Sequence, residues 1–85
     1  MASSRLLIKP SATKELGALP FKDRRRIVRR MRALAENPRP PGCEKLTGLP
    51  LYRVRQGDTR VLYEVADAAE TVTIIRIGNR RDVYR

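Results

Sequence analysis

The 85-residue sequence contains no histidine and no tryptophan, it has a single cysteine, and only 5% of its residues are aromatic. Without histidine it offers neither a Cys/His zinc site nor a Ser-His or Cys-His catalytic pair, and one cysteine cannot form an internal disulfide. A GxxxxGK phosphate-binding loop is also missing from the sequence. We therefore predict no metal and no cofactor, and we interpret Cys43 as incidental rather than as a nucleophile.

Acidic residues are scarce, with 9 Asp and Glu against 19 Lys and Arg, which gives a formal net charge of +10 and a pI near 11.1. This excess predicts a polyanionic partner, whether nucleic acid, membrane headgroups or an acidic protein. No apolar run is long enough for a signal peptide or a membrane span, so we expect a cytoplasmic protein. The length predicts one small domain over residues 1–85.

The first half of the chain is predicted to form one strand and two helices. Residues 5–9 are typical of a short strand that Pro10 ends, and Ser11 is predicted to cap a helix over residues 12–18. A second helix is predicted to begin with Pro20 and to stop before Asn37. Apolar residues recur along it with helical spacing and predict its buried face. These residues are Ile27, Val28, Met31, Leu34 and Ala35.

The second half is predicted to form three strands over residues 51–55, 60–65 and 72–77. Short connections between them indicate an antiparallel meander. We therefore predict an α+β fold in the order β-α-α-β-β-β, with two helices packed on a meander sheet. In the last strand Val72 and Ile74 oppose Ile75 and Ile77, so apolar residues lie on both sides. This pattern leaves two alternatives, a central strand covered on both faces or a surface patch for a partner.

The second helix also carries the largest cluster of positive charge. Its basic residues are Lys22, Arg24, Arg25, Arg26, Arg29, Arg30 and Arg32. They can form an ordinary solvated helix face, or they can bind RNA backbone, with Arg25 and Arg29 as phosphate contacts. We do not place catalysis on this helix.

A second group of arginines lies on the predicted strands. Arg53 and Arg55 alternate along one strand and so share a face, Arg60 begins the next strand, and Arg80 follows the last one. If the strands are neighbours, these guanidiniums gather into one concave patch near Tyr84. The alternative is a set of surface arginines that pair with nearby acids and protect the sheet from aggregation.

Such a patch suits the cleavage of RNA. The 2′-hydroxyl of RNA attacks the adjacent phosphate, so the protein must supply a base, an acid and cations for the developing negative charge. Arginine forks match phosphate oxygens in pairs. Tyr84 is the candidate base, because surrounding guanidiniums lower the pKa of a phenol, and stacking on a substrate base is its alternative role. Lys45, just before the patch, is a candidate phosphate contact.

Several segments together resemble the RelE-like toxins of the RelE/ParE type II toxin–antitoxin superfamily. They are KPSA at residues 9–12, LP at 19–20, KLTGL at 45–49, RVLY at 60–63 and GNRRDVY at 78–84. The resemblance implies the RelE-like microbial RNase fold and a ribosome-dependent endoribonuclease that cuts mRNA and inhibits translation without a metal. It implies catalytic roles for Arg53, Arg55, Arg60, Arg80 and Tyr84, and Arg81 is added as an RNA contact.

The resemblance also implies the partners. They are the ribosome with its mRNA and a cognate antitoxin, whose acidic segment covers the site arginines and whose complex with the toxin represses its own operon. We expect apolar side chains of the antitoxin to lie against Val72 and Ile74. The sequence departs from the family pattern in its arginines at positions 53 and 55, where the best-known pattern has lysines, in Asn79, where many relatives have histidine, and in ending at Arg85 without a C-terminal helix.

Two other functions are consistent with the sequence. The ParE branch shares the fold and poisons DNA gyrase without cutting RNA, but its members generally lack the combination of strand arginines and Tyr84. A non-catalytic nucleic-acid-binding module would require only the basic composition.

Overall fold

The computed structural model describes residues 4–79. In chain order the elements are β1 (Arg5–Ile8), α1 (Pro10–Gly17), α2 (Phe21–Glu36), β2 (Glu44–Lys45), β3 (Leu51–Gln56), β4 (Thr59–Ala66) and β5 (Thr71–Asn79). The strands form one five-stranded sheet in the order β1-β5-β4-β3-β2. Strands β3, β4 and β5 are an antiparallel meander, and both helices pack on this sheet, so the predicted α+β fold and element order are confirmed.

Two features of the sheet were not predicted. Strand β1 pairs with β5 in parallel, from Arg5 opposite Thr71 to Ile8 opposite Ile74, so the complete sheet is mixed. Strand β2 has two residues and pairs antiparallel with β3. A two-residue strand after a proline-rich loop has no hydrophobic periodicity, so sequence reasoning has no signal by which to detect it.

The helix starts differ from prediction by one or two residues. Helix α1 begins at Pro10, with Lys9 in the N-cap position, so Ser11 lies inside the helix and is not its cap. A proline suits the first turn because the backbone N–H there has no partner within the helix. Pro20 is the N-cap of α2 rather than its first residue, and its carbonyl accepts a hydrogen bond from Arg24 N at 2.9 Å. Helix α2 ends at Glu36, as predicted.

The core lies between the helices and one face of the sheet. Helix α2 contributes Ile27, Met31 and Leu34, while Val28 and Ala35 from the same predicted face are half-buried. The other buried members of the core are Ala12, Val54, Val61, Tyr63, Val72, Ile74 and Ile77. Within residues 4–79, no helix is long and apolar enough to cross a membrane.

A β-bulge explains the mixed apolar pattern of β5. Leu62 is opposite Arg76, but the next residue of β4, Tyr63, is opposite Ile74, so Ile75 is the extra residue. Before the bulge the side chains at positions 72 and 74 face the core, and after it the side chain at position 77 does. All three side chains are buried. The possibility that Val72 and Ile74 form a surface patch is therefore wrong. The expectation that apolar side chains of an antitoxin lie against these two residues is wrong for the same reason.

The bulge is held in place by Glu15 of α1. Its Oε1 accepts a hydrogen bond from the backbone N–H of Ile77 at 3.0 Å, and its Oε2 accepts one from Arg76 Nη2 at 3.3 Å. The pairing with β1 has already ended at Ile74. The carboxylate therefore accepts a hydrogen bond from a backbone N–H of β5 beyond the end of its pairing with β1.

Candidate functional site

Three arginines predicted from the sequence meet on the sheet face that is turned away from the helices. Arg53 and Arg55 alternate with Val54, whose side chain is buried in the core, so their side chains project to the opposite face. Arg60 is the direct partner of Arg55 across the β3–β4 pair. Together with Gly42 and Glu44 they line a cleft of about 180 Å³, called here the arginine cleft.

Sequence reasoning missed Glu44, which lies at the edge of this cleft. Because β2 pairs with β3, Glu44 is directly opposite Arg53, and its carboxylate Oε2 forms a salt bridge with Arg53 Nη2. The side chain of Arg53 is 16% exposed and that of Glu44 is 63% exposed. Among the described residues that line the cleft, Glu44 is the only acid. Its position depends on the short strand that the sequence does not reveal.

The charge arrangement in the cleft favours the binding of an anion. Arg55 and Arg60 are directly opposite each other on neighbouring strands, and like charges in that position destabilise a sheet. Glu44 offsets one of the three positive charges, at Arg53. A phosphate group that binds between the guanidiniums would relieve the repulsion and accept paired hydrogen bonds from them.

The other predicted site residues lie elsewhere. Lys45 is opposite Tyr52, whose ring packs against the core, so Lys45 is on the helix-bearing side of the sheet edge. Arg25 and Arg29 belong to α2, across the sheet from the arginine cleft. Arg80, Arg81 and Tyr84 lie outside the described residues. The structure thus brings together Arg53, Arg55 and Arg60, adds Glu44, and separates them from Lys45 and the helix arginines.

The exposed side of α2 forms a second positively charged surface. Its first turn displays Phe21, which is 65% exposed, and the Arg25 guanidinium carbon lies 5.8 Å from the centre of that ring. We call the groove of about 360 Å³ on this side the α2 surface. It is lined by Phe21, Lys22, Arg25, Arg26 and Arg29. An aromatic ring among arginines can stack on a nucleobase while the cations bind phosphates.

Comparison with known proteins gives consistent results. Residues 6–84 match the family model described as ParE toxin of the type II toxin–antitoxin system, parDE. A comparison with curated protein sequences gave no match.

Three solved complexes illustrate the structural likeness. The RelE–RelB complex of the archaeon Pyrococcus horikoshii contains a chain with a TM-score of 0.84 and 30% identity, covering 95% of this chain and 99% of that one. The intact Escherichia coli RelBE complex contains a chain with a TM-score of 0.81 and 26% identity, covering 93% of this chain and 99% of that one. The Mycobacterium tuberculosis RelBE2 complex contains a chain with a TM-score of 0.83 and 25% identity, covering 96% of this chain and 97% of that one.

Proposed function

The chain belongs to the ParE toxin family of type II toxin–antitoxin systems and has a RelE-like fold, and from this premise we propose that it is a ribosome-dependent mRNA endoribonuclease. The observation that carries the proposal is the arginine cleft. Three guanidiniums and one carboxylate converge on an open face of the sheet, with Arg55 and Arg60 directly opposite each other there. A phosphodiester carries the negative charge and the paired oxygens that converging guanidiniums bind.

The proposed reaction uses the RNA's own 2′-hydroxyl as nucleophile. It attacks the adjacent phosphorus, a phosphorane forms, and the bond to the 5′-oxygen of the next nucleotide breaks. The 5′-oxygen takes up a proton from water, which leaves a 2′,3′-cyclic phosphate and a free 5′-hydroxyl. Arg53, Arg55 and Arg60 bind the non-bridging oxygens and stabilise the negative charge that builds up on them. We assign Arg80 to the same task. A metal-bound water is not required, because the nucleophile belongs to the substrate.

Two groups are candidates for the base that accepts the 2′-hydroxyl proton. Tyr84 is the candidate from the sequence, and Glu44 is the candidate from the structure because its carboxylate lies beside Arg53 at the edge of the cleft. At neutral pH a carboxylate is already deprotonated, whereas a phenol with its ordinary pKa of about 10 is not. We propose that Glu44 is the base and that Tyr84 stacks on a substrate base.

The α2 surface is proposed to bind ribosomal RNA by its backbone. Arg25 and Arg29 line this groove on the side of the sheet opposite the cleft, so they cannot touch the scissile phosphate. Phosphate contacts of this kind add salt-dependent affinity without reading sequence. The two basic surfaces therefore have separate tasks, with docking on α2 and cleavage in the arginine cleft.

We propose a cognate antitoxin as the protein partner, since the structurally similar RelE chains are found in complexes with RelB. An acidic segment of the antitoxin would neutralise the arginine cleft. Its apolar side chains need a site other than the buried Val72 and Ile74. The edge strand β1 offers one, because Leu7 and Ile8 are 45% and 37% exposed.

Inhibition of DNA gyrase is the second candidate, and the observation that favours it is the match to the family model named for ParE. One experiment separates the two. Purified toxin added to a cell-free translation reaction is expected to stop protein synthesis and to leave codon-spaced cuts in the mRNA, mapped by primer extension. The same preparation is expected to leave gyrase supercoiling of plasmid DNA unchanged. Intact mRNA together with inhibited supercoiling would establish the gyrase function instead.

A further inference from the structure

A cluster of polar and aromatic side chains lies outside the arginine cleft, at the loop between α2 and β2. The Arg39 guanidinium donates two hydrogen bonds to Asp67, from Nη1 to Oδ1 at 2.9 Å and from Nη2 to Oδ2 at 2.8 Å. Its Nε donates a third to the Tyr52 hydroxyl at 3.0 Å. The hydrogen bonds from Arg39 lower the pKa of Asp67, so the pair is charged at neutral pH. Arg39 thus ties the loop to β3 and to the β4–β5 turn.

The neighbouring residue of the loop is tied to β4. The rings of Tyr52 and Tyr63 stack with centroids 5.8 Å apart, and the Tyr63 hydroxyl donates a hydrogen bond to the Pro38 carbonyl at 2.7 Å. Burial raises the pKa of Tyr63 far above its ordinary value, so this phenol stays protonated and remains a donor. We call Pro38, Arg39, Tyr52, Tyr63 and Asp67 the loop latch.

The segment that connects the latch to the cleft is short and stiff. Pro40 and Pro41 follow Arg39, and the Pro40 carbonyl accepts a hydrogen bond from Cys43 N at 3.1 Å. Each proline fixes one backbone angle, so the position of Arg39 largely determines where the residues after the prolines lie. Gly42 and Glu44, which line the cleft, come directly afterwards. Strand β2 pairs through only two residues and is too short to hold Glu44 by itself.

We infer that Arg39 is a positioning residue for the arginine cleft, since its bonds to Asp67 and Tyr52 fix the loop that holds Glu44 beside Arg53. Neither Arg39 nor Asp67 lines the cleft. Their effect on chemistry is therefore transmitted through the loop, and without the latch the Glu44 carboxylate leaves its place next to the guanidinium. The effect on cleavage rests on the proposed function, whereas the effect on the loop does not.

Cys43 provides a built-in reporter of the loop. It is the only cysteine of the chain, it is half-buried, and it packs against the core directly before Glu44. A thiol reagent modifies it faster when the loop opens more often. We expect Arg39→Ala to raise the rate of modification by 5,5′-dithiobis(2-nitrobenzoate) about two- to fivefold, as expected for the loss of an exposed bidentate ion pair. Asp67→Asn, which removes the carboxylate but keeps its size, should raise the rate in the same direction.

The matched control is Arg32→Ala, which removes the same charge from an exposed position of α2. In this variant the Cys43 thiol is expected to react with the reagent at the wild-type rate. Thermal unfolding of each variant, followed by circular dichroism, separates loop opening from a general loss of stability. A wild-type rate of modification in both folded latch variants would overturn the inference, because it would mean that the loop does not depend on Arg39.

Cleavage supplies the second measurement. Under single-turnover conditions on programmed ribosomes, Arg39→Ala is expected to lower the maximal cleavage rate about tenfold with unchanged half-saturation, and Arg39→Lys to recover part of the loss. A faster thiol reaction with an unchanged cleavage rate would contradict the positioning role. If wild-type protein does not cut mRNA at all, the proposed function fails. The thiol rates then decide by themselves whether Arg39 fixes the loop.

Discussion

Replacing Arg60 by alanine is expected to lower the rate of mRNA cleavage on the ribosome by about 10²–10³-fold, which corresponds to roughly 3–4 kcal/mol of transition-state stabilisation. Arg60 lines the cleft and is directly opposite Arg55. In the phosphorane, the non-bridging oxygens carry more negative charge than in the substrate, so a guanidinium aimed at them acts mainly on the rate. Single-turnover cleavage with saturating toxin measures this loss.

Lys14→Ala is the matched control, because it removes one positive charge from an exposed position of α1. It is expected to cut at the wild-type rate. Arg80→Ala is expected to lose as much activity as Arg60→Ala, and Tyr84→Ala, which removes the stacking ring, to cut more slowly while still binding the ribosome. Equal cleavage by the wild type and all three site variants would contradict the assignment of the site. A loss in the Lys14 variant as large as in Arg60→Ala would mean that net charge, rather than the cleft, determines the activity.

The largest effect on stability is expected from Ile74→Ala. The side chain of Ile74 is fully buried in the core between the helices and the sheet. Removing its outer carbons loses apolar burial and leaves a cavity, which together cost about 2–5 kcal/mol. Domains of this kind are stable by roughly 5–15 kcal/mol in total, so the variant loses a large part of its stability. Urea unfolding followed by circular dichroism measures the change.

Ile75→Ala is a control at the neighbouring residue. Ile75 is the extra residue of the β5 bulge and is only half-buried, so the same truncation should cost roughly 1 kcal/mol. Because the two variants differ only in which isoleucine is shortened, the comparison tests the register of β5 directly. A larger loss of stability in Ile75→Ala than in Ile74→Ala would mean that Ile75, and not Ile74, is buried in the core. That result would contradict the bulge.

The elements with strong periodicity were predictable from the sequence. The apolar spacing of α2 predicted Ile27, Met31 and Leu34 as buried, and the short turns around Gly57 and Asp67 predicted the meander. Two features of the sheet depend on contacts that no local pattern encodes. Strand β1 pairs with β5, a partner more than sixty residues away along the chain, and the bulge at Ile75 shifts the alternation of β5 within a single strand.

The candidate site was predictable to a similar extent. Alternation placed Arg53 and Arg55 on one face, and the meander brought Arg60 opposite Arg55. Glu44 was not predictable, because its place beside Arg53 follows from a two-residue strand and from the latch that holds the preceding loop. The sequence indicated only that the strand arginines could pair with nearby acids. The structure shows that the partner of Arg53 comes from β2.

We propose that the RNA's own 2′-hydroxyl performs the cleavage in the arginine cleft. The most direct measurement uses ribosomes programmed with an mRNA that carries a single 2′-deoxynucleotide at the position of a mapped cut. We expect that the toxin no longer cuts at this position but still cuts at neighbouring codons. The fragment cut from unmodified mRNA should end in a 2′,3′-cyclic phosphate. Unchanged cutting after the deoxynucleotide would require a different nucleophile and would contradict the account.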